Sequence, residues 1–292
     1  MTASLSHWLA LREPFDTAAR SVSLTHAVAD RLPRDRPVRI LDLGCGTGSN
    51  LRYLARHMPV DQQWLLVDRD PLVLAGMPPR MSAWSQTRPS VRSPASEASA
   101  GDCFQTVPYE TRQLDLGARD ALEIFVDRDL VTASALLDLV SASFLAWLAE
   151  RCRASGAVAL FALTYTGRST CTPAEPEDDE ICALLNRHQE QIDKGFGPAA
   201  GPGAVACTER AFVAAGYRVR REPSDWQIGP DARDLQRLLM QGWADAAVEM
   251  APAESATIAD WRARRLAHVE AGRSRIAVSH EDLAAFPIKS HA

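Results

Sequence analysis

Lysine is almost missing from this chain. Of its 292 residues, Lys194 and Lys289 are the two lysines, so arginine carries nearly all the positive charge. Acids outnumber bases, 37 to 32, for a formal net charge of −5. Nucleic-acid binders normally show a basic domain or stripe, and this balance argues against a polyanionic partner. The six cysteines, at 45, 103, 152, 171, 182 and 207, are scattered. They form no C-x-x-C pair and meet no histidine at ligand spacing, so no metal site is expected. With no secretory leader at the N-terminus, the expectation is reduced thiols in a cytoplasmic protein. No apolar run approaches the ~20 residues a membrane span needs. Internal repeats are lacking too. What remains is an ordinary globular composition, 46% hydrophobic, read as one domain over 1–292 with a substantial core.

The chain alternates between two periodicities. Residues 3–32 carry apolar positions at helical spacing, and Pro33 and Pro37 end that pattern. This predicts a helical cap over 1–36. "VRILDL" (38–43) and "QWLLVD" (63–68) read as buried strands, with a helix over 49–58 between them. Asp70 is expected to cap a short helix opening at Pro71. The segment 80–107 is rich in Ser, Pro and Ala and is expected to be a flexible insertion. Strands are expected again at 109–116, from 129, and at 157–165, and helices lie between them. Such alternation argues for a doubly wound, mostly parallel α/β sheet. After 165 come two insertions predicted to be largely helical, 166–203 and 231–272, a strand at 217–228, and a short strand "SRIAVSH" (274–280).

"DLGCGTGSN" (42–50) stands at the end of the first strand. Glycine at 44, 46 and 48 lets a ligand lie against bare backbone where a helix begins. The spacing is G-x-G-x-G, and a dinucleotide fingerprint is G-x-G-x-x-G. Asp42 would face a cationic ammonium group, if the ligand carries one. Asp68, twenty residues past Gly48 and at the end of the second strand, suits a pair of ribose hydroxyls. Asp115, at the end of the third, suits an exocyclic adenine amine.

In order and spacing, "ILDLGCGTG", "LLVDRDP", "QLDL" and "DLVTASALLDLV" resemble the class I S-adenosylmethionine-dependent methyltransferases over roughly 38–165. The resemblance implies a Rossmann-like seven-stranded sheet whose last strand, 274–280, is antiparallel. It implies S-adenosylmethionine as cofactor, held at Asp42, Gly44, Cys45, Gly46, Gly48, Asp68, Arg69, Asp115 and Leu116. The backbone around Ser134 and Ala135 would close the sulfonium side.

Methyl transfer needs alignment before it needs a base, so the acceptor site is harder to read. The rim beyond the fifth strand holds Tyr165, followed by "NRHQEQIDKGFGP" (186–198). His188 is the candidate base or orienting group, with Tyr165 second. Arg12, Arg20, Tyr165, His188, Gln191, Lys194 and Phe196 are the candidate acceptor contacts, under a lid formed by the two helical insertions. A small-molecule acceptor is the leading expectation. A protein or nucleic-acid acceptor, or a cofactor-binding protein with non-methylating chemistry, are the alternatives.

Overall fold

The computed structural model describes residues 5–59, 61–86 and 107–288. Two helices come first, α1 (Leu5–Ala19) and α2 (Val22–Ala29); the Ser21 hydroxyl caps α2 by accepting from the Leu24 N–H. There follow β1 (Val38–Leu43), α3 (Ser49–Leu54), β2 (Gln62–Asp68), α4 (Pro71–Ala75), α5 (Met77–Gln86), β3 (Tyr109–Gln113), β4 (Leu130–Ser134) and α6 (Ala142–Ser155). The remainder is β5 (Val158–Thr172), α7 (Asp178–Gln191), α8 (Ala204–Ala214), β6 (Tyr217–Pro223), β7 (Trp226–Ile228), α9 (Arg233–Met250), α10 (Ser255–Glu270) and β8 (Arg275–Pro287).

The main sheet runs β3-β2-β1-β4-β5-β8-β6. β1 to β5 are parallel to one another, and β8 is antiparallel to both β5 and β6. The doubly wound sheet with an antiparallel last strand is therefore present. β7 adds an eighth strand, paired with the outer part of β8. Alternate residues of β1 feed two cores. Leu41 and Leu43 pack with α6 and α8 on one face, and Ile40 packs with α2, α3 and α5 on the other. A third core lies beyond the sheet, where α7, α9 and α10 pack on β7 and the long ends of β5 and β8. Trp8, Leu11 and Phe15 of α1 join it.

Several boundaries differ from the sequence reading. Residues 80–86 belong to α5, in which Met77, Met81 and Trp84 are buried. Pro78 and Pro79 fall in the first turn, where a missing N–H costs nothing. Residues 87–106 of the expected insertion lie outside the described residues. The first insertion does not begin as a loop, because β5 continues to Thr172 and pairs through Ser169–Thr172 with β8. The last strand is nearly twice the expected length; its second half, Glu281–Pro287, also pairs with β6, while β5 pairs along both halves. The 217–228 strand is two pieces, split where the Asp225 carboxylate accepts the His280 N–H at 2.9 Å. Asp70 does cap α4, accepting from Leu72 and Val73. At α3 the cap position falls to Gly48, which makes no side-chain bond.

Candidate functional site

The carboxyl ends of β1, β2 and β4 open into a cleft of about 290 Å³. Its floor is the glycine turn. Gly44, Gly46 and Gly48 sit at φ 63°, 54° and 81°, the left-handed region that side chains rarely adopt. Gly44 and Gly46 line the cleft, with Cys45, Ser49 and Asn50 beside them. Gly48 turns the other way, and a Cβ there would meet Met77 and Arg52 at 3.4 Å. Burial pushes the Cys45 thiol well up, so it carries no thiolate near neutrality.

Asp68 lines the cleft at the end of β2, with Arg69 next to it. Its Oδ2 accepts the Gly46 N–H at 2.9 Å and its Oδ1 accepts the Asp70 N–H at 3.0 Å, so one carboxylate ties β2 to the turn. Leu116, Ser134 and Ala135 complete the strand-end set in the cleft wall, and Ala135 has a φ of 51°. Asp115 lies outside this cleft. It lines a neighbouring depression with Arg69 and Gln113, and its Oδ1 accepts the Gly117 N–H at 2.9 Å. Asp42 lies wholly buried beneath the turn.

Two further elements face the floor. From α1 come Trp8, Leu9, Arg12 and Asp16. The Arg12 guanidinium grips Asp16 at 2.9 and 3.1 Å and lies 5.1 Å from the Trp226 ring centroid. The indole of Trp226 donates to the same Asp16 at 3.0 Å. Burial still raises the Asp16 carboxyl above its ordinary range, against the pull of Arg12. Opposite stands the loop after α7, which brings Lys194 and Phe196. Asp193 fixes that loop by accepting the N–H groups of Gly195 and Gly197 at 2.7 and 2.9 Å. Arg69 donates to the Lys194 carbonyl at 2.7 Å, and Phe196 stacks edge-on against Phe144 with centroids 4.9 Å apart. Burial lowers the Lys194 ammonium below lysine's usual range. That ammonium has no hydrogen-bond partner among the described residues.

Four of the expected acceptor contacts are placed elsewhere. His188 is outside the cleft, with Nε2 2.9 Å from Glu249 on α9. Tyr165 is buried, and its hydroxyl donates to Asn186 at 3.0 Å. Burial pushes that phenol up, away from any role as a base near neutrality. Gln191 is exposed at the end of α7. Arg20 is buried behind Asn50 and touches only a small side chamber. Conversely, the sequence reading missed Asn50, Trp8, Leu136 and Leu139. Asn50 is eight residues past Asp42 on the first turn of α3, a position that faces back onto the strand it follows.

No family model matches the sequence, and no curated protein does. Solved structures resemble it at low identity. A cyclopropane-fatty-acyl-phospholipid synthase-like protein from Lactobacillus casei is 14% identical, with a TM-score of 0.48 over 94% of this chain and 99% of that one. The YcgJ protein from Bacillus subtilis is 13% identical, with a TM-score of 0.46 over 91% and 99%. A cyclopropane synthase from Mycobacterium tuberculosis is 11% identical, with a TM-score of 0.43 over 90% and 83%.

Proposed function

We propose that this chain is an S-adenosylmethionine-dependent methyltransferase acting on a small-molecule acceptor. One observation carries the reading: a left-handed glycine turn and the Asp68 carboxylate share one cleft at the switch between β1 and β4. The fit is chemical as well as topological. Glycine lets an adenosyl ligand lie on bare backbone, and Asp68 faces the position of a ribose. Asp42 leaves Oδ2 buried with no partner, under the place where an ammonium group would sit.

When bound, the cofactor supplies an electrophilic methyl on a positively charged sulfur. The chain supplies position. Gly44 and Gly46 set the depth, Asp68 fixes the ribose, and Ser134, Ala135 and Leu136 close the side toward β4. Leu9, Trp8, Leu139 and Phe196 exclude water around the reacting atoms. Such alignment is worth ~7–11 kcal/mol of barrier. With Tyr165 and His188 outside the cleft, this reading assigns no general base. Lys194 is the cleft's unpaired ammonium and would favour an acceptor with an anionic group. α1, held by the third core, and the 193–198 loop roof the cleft from two sides, which supports a small acceptor over a macromolecular one.

The test is tritiated-methyl transfer from S-adenosylmethionine to separated pools of metabolites, protein and nucleic acid. Label in the metabolite pool supports the reading. Label confined to a macromolecular pool contradicts the acceptor class. S-adenosylmethionine binding without transfer to any pool would favour the non-methylating alternative.

A further inference from the structure

The deepest charge beside the cleft is Asp42. Its Oδ1 accepts from the Asn50 side-chain amide at 2.7 Å, and its Oδ2 has no hydrogen-bond partner. The same amide nitrogen donates to the Thr132 hydroxyl at 3.1 Å, across the register that pairs Asp42 with Thr132. Thr132 in turn gives its proton to the Leu160 carbonyl at 2.7 Å. Asn50 is oriented from its other end, where Arg20 Nη1 donates to Oδ1 at 2.8 Å. A guanidinium has only donors, so Asn50 must turn its oxygen to Arg20 and its nitrogen to Asp42.

Arg20 is itself anchored. Its Nε is 3.7 Å from Asp282, and its guanidinium carbon lies 4.4 Å from the Tyr53 ring centroid. Asp282 accepts the Ser21 N–H at 2.9 Å and the Leu163 N–H at 2.8 Å. Leu163 is the φ 56° residue at the irregular step of β5. A chain of four buried side chains therefore runs from β8 to the floor of the cleft. The charges that face Asp42 are Arg20 from the end of α1 and Asp68 from β2, with the Cys45 thiol in the turn above. Asp16 acts on the chain through Arg20. Burial dominates and lifts the Asp42 carboxyl to about 7; Asn50 and Arg20 hold it down, and Asp68 raises it.

We infer that Arg20, acting through Asn50, is a positioning residue that favours the ionised form of Asp42 beneath the glycine turn, and so tunes the affinity for the ammonium end of the ligand. The inference rests on the adenosyl-ligand reading above. It gives Arg20 a role distinct from an acceptor contact. Its guanidinium never needs to touch the ligand, because its charge and its hold on one amide act on a carboxylate buried beneath the turn, whose field would reach the ammonium group.

The probes are S-adenosylhomocysteine, which carries the amino-acid end, and 5′-methylthioadenosine, which lacks it. Both are titrated calorimetrically into the full chain between about pH 5.5 and 8.5, a range that brackets the buried carboxyl. S-adenosylhomocysteine should bind more tightly as pH rises through about 7, because ionised Asp42 attracts its ammonium group. Methylthioadenosine should show no such rise. Arg20→Met should move the rise to higher pH and weaken S-adenosylhomocysteine roughly fivefold near neutrality and toward tenfold at lower pH, the effect of about one unit in the carboxyl. Methylthioadenosine should bind that variant as it binds the parent. If Arg20→Met does not fold, Asn50→Ala keeps the Arg20–Asp282 pair and should give the same shift. A flat profile in the parent, an unmoved profile in a folded variant, or equal loss of both probes overturns the inference. A parent that binds neither probe overturns the adenosyl reading and the inference with it.

Discussion

The floor of the cleft and the third core are built from opposite materials. The floor is a bare turn with three left-handed glycines and a buried carboxylate that keeps one oxygen unpartnered. The third core is dense. Trp226, Trp243 and Trp261 are buried in it, and Arg265, wholly inaccessible, donates through Nε to Asp178 at 2.9 Å while the Trp261 indole reaches the same carboxylate at 2.8 Å. One region keeps a carboxylate oxygen unpartnered beneath a bare turn; the other pairs its buried guanidinium, Arg265, internally. The difference teaches where chemistry and stability are kept apart. The third core meets the cleft by holding α1 across it and at Ala135, which packs on that core and lines the cleft.

The largest effect should follow from filling the floor. Gly46→Val puts a branched side chain at φ 54°, with its Cβ 3.4 Å from Leu9 across the cleft. We expect detectable S-adenosylhomocysteine binding to vanish in calorimetry while the protein stays folded by circular dichroism. Next comes the third core. Trp261→Ala should cost ~3–5 kcal/mol of stability in denaturant unfolding. In the fraction still folded, S-adenosylhomocysteine affinity should stay within a fewfold of the parent. A selective loss of affinity there would erase the division between the two regions.

Asp68→Ala should weaken the same ligand by ~1.5–3 kcal/mol, the range for losing hydrogen bonds to a charged acceptor. Because Asp68 also holds the Gly46 N–H, the variant probes the turn and the ribose contact together. The smallest effect is expected at His188→Ala. Its pair with Glu249 is partly exposed, since the glutamate side chain is 66% accessible. Stability should change by less than ~1 kcal/mol, and cofactor affinity and turnover should hold. A large drop in turnover would return His188 to the site.

The same division governed what could be read in the sequence. The floor was legible because its chemistry is local: glycine spacing and an acid at each of two strand ends lie within short runs around 42–48 and 68, whereas Asp115, read by the same rule, falls outside the cleft. The sheet was legible because β1, β2 and β5 are continuous apolar runs. The outer end of β5 was not, because "TGRSTCT" is polar and becomes a strand only by pairing with β8. α5 was hidden by its two prolines, which the first turn tolerates. Asn50 and Arg20 were missed in their present roles for a different reason. Their roles lie in contacts distant in the chain, Arg20 to Asn50 across 30 residues and Arg20 to Asp282, which no local spacing announces. His188 and Tyr165 stand out in the sequence because they lie at and after the expected end of the fifth strand. The structure uses both in packing α7, to Glu249 and Asn186.

The most direct test is equilibrium binding of S-adenosylhomocysteine to the unaltered full chain, with residue protection mapped by amide exchange. The account predicts a single saturable site, with slowed exchange at the Gly44–Gly48 turn, at Asp68–Arg69 and along the α1 segment that carries Leu9 and Arg12. Absence of saturable binding would contradict it. So would tight binding whose protection falls on the third core and leaves the glycine turn unchanged.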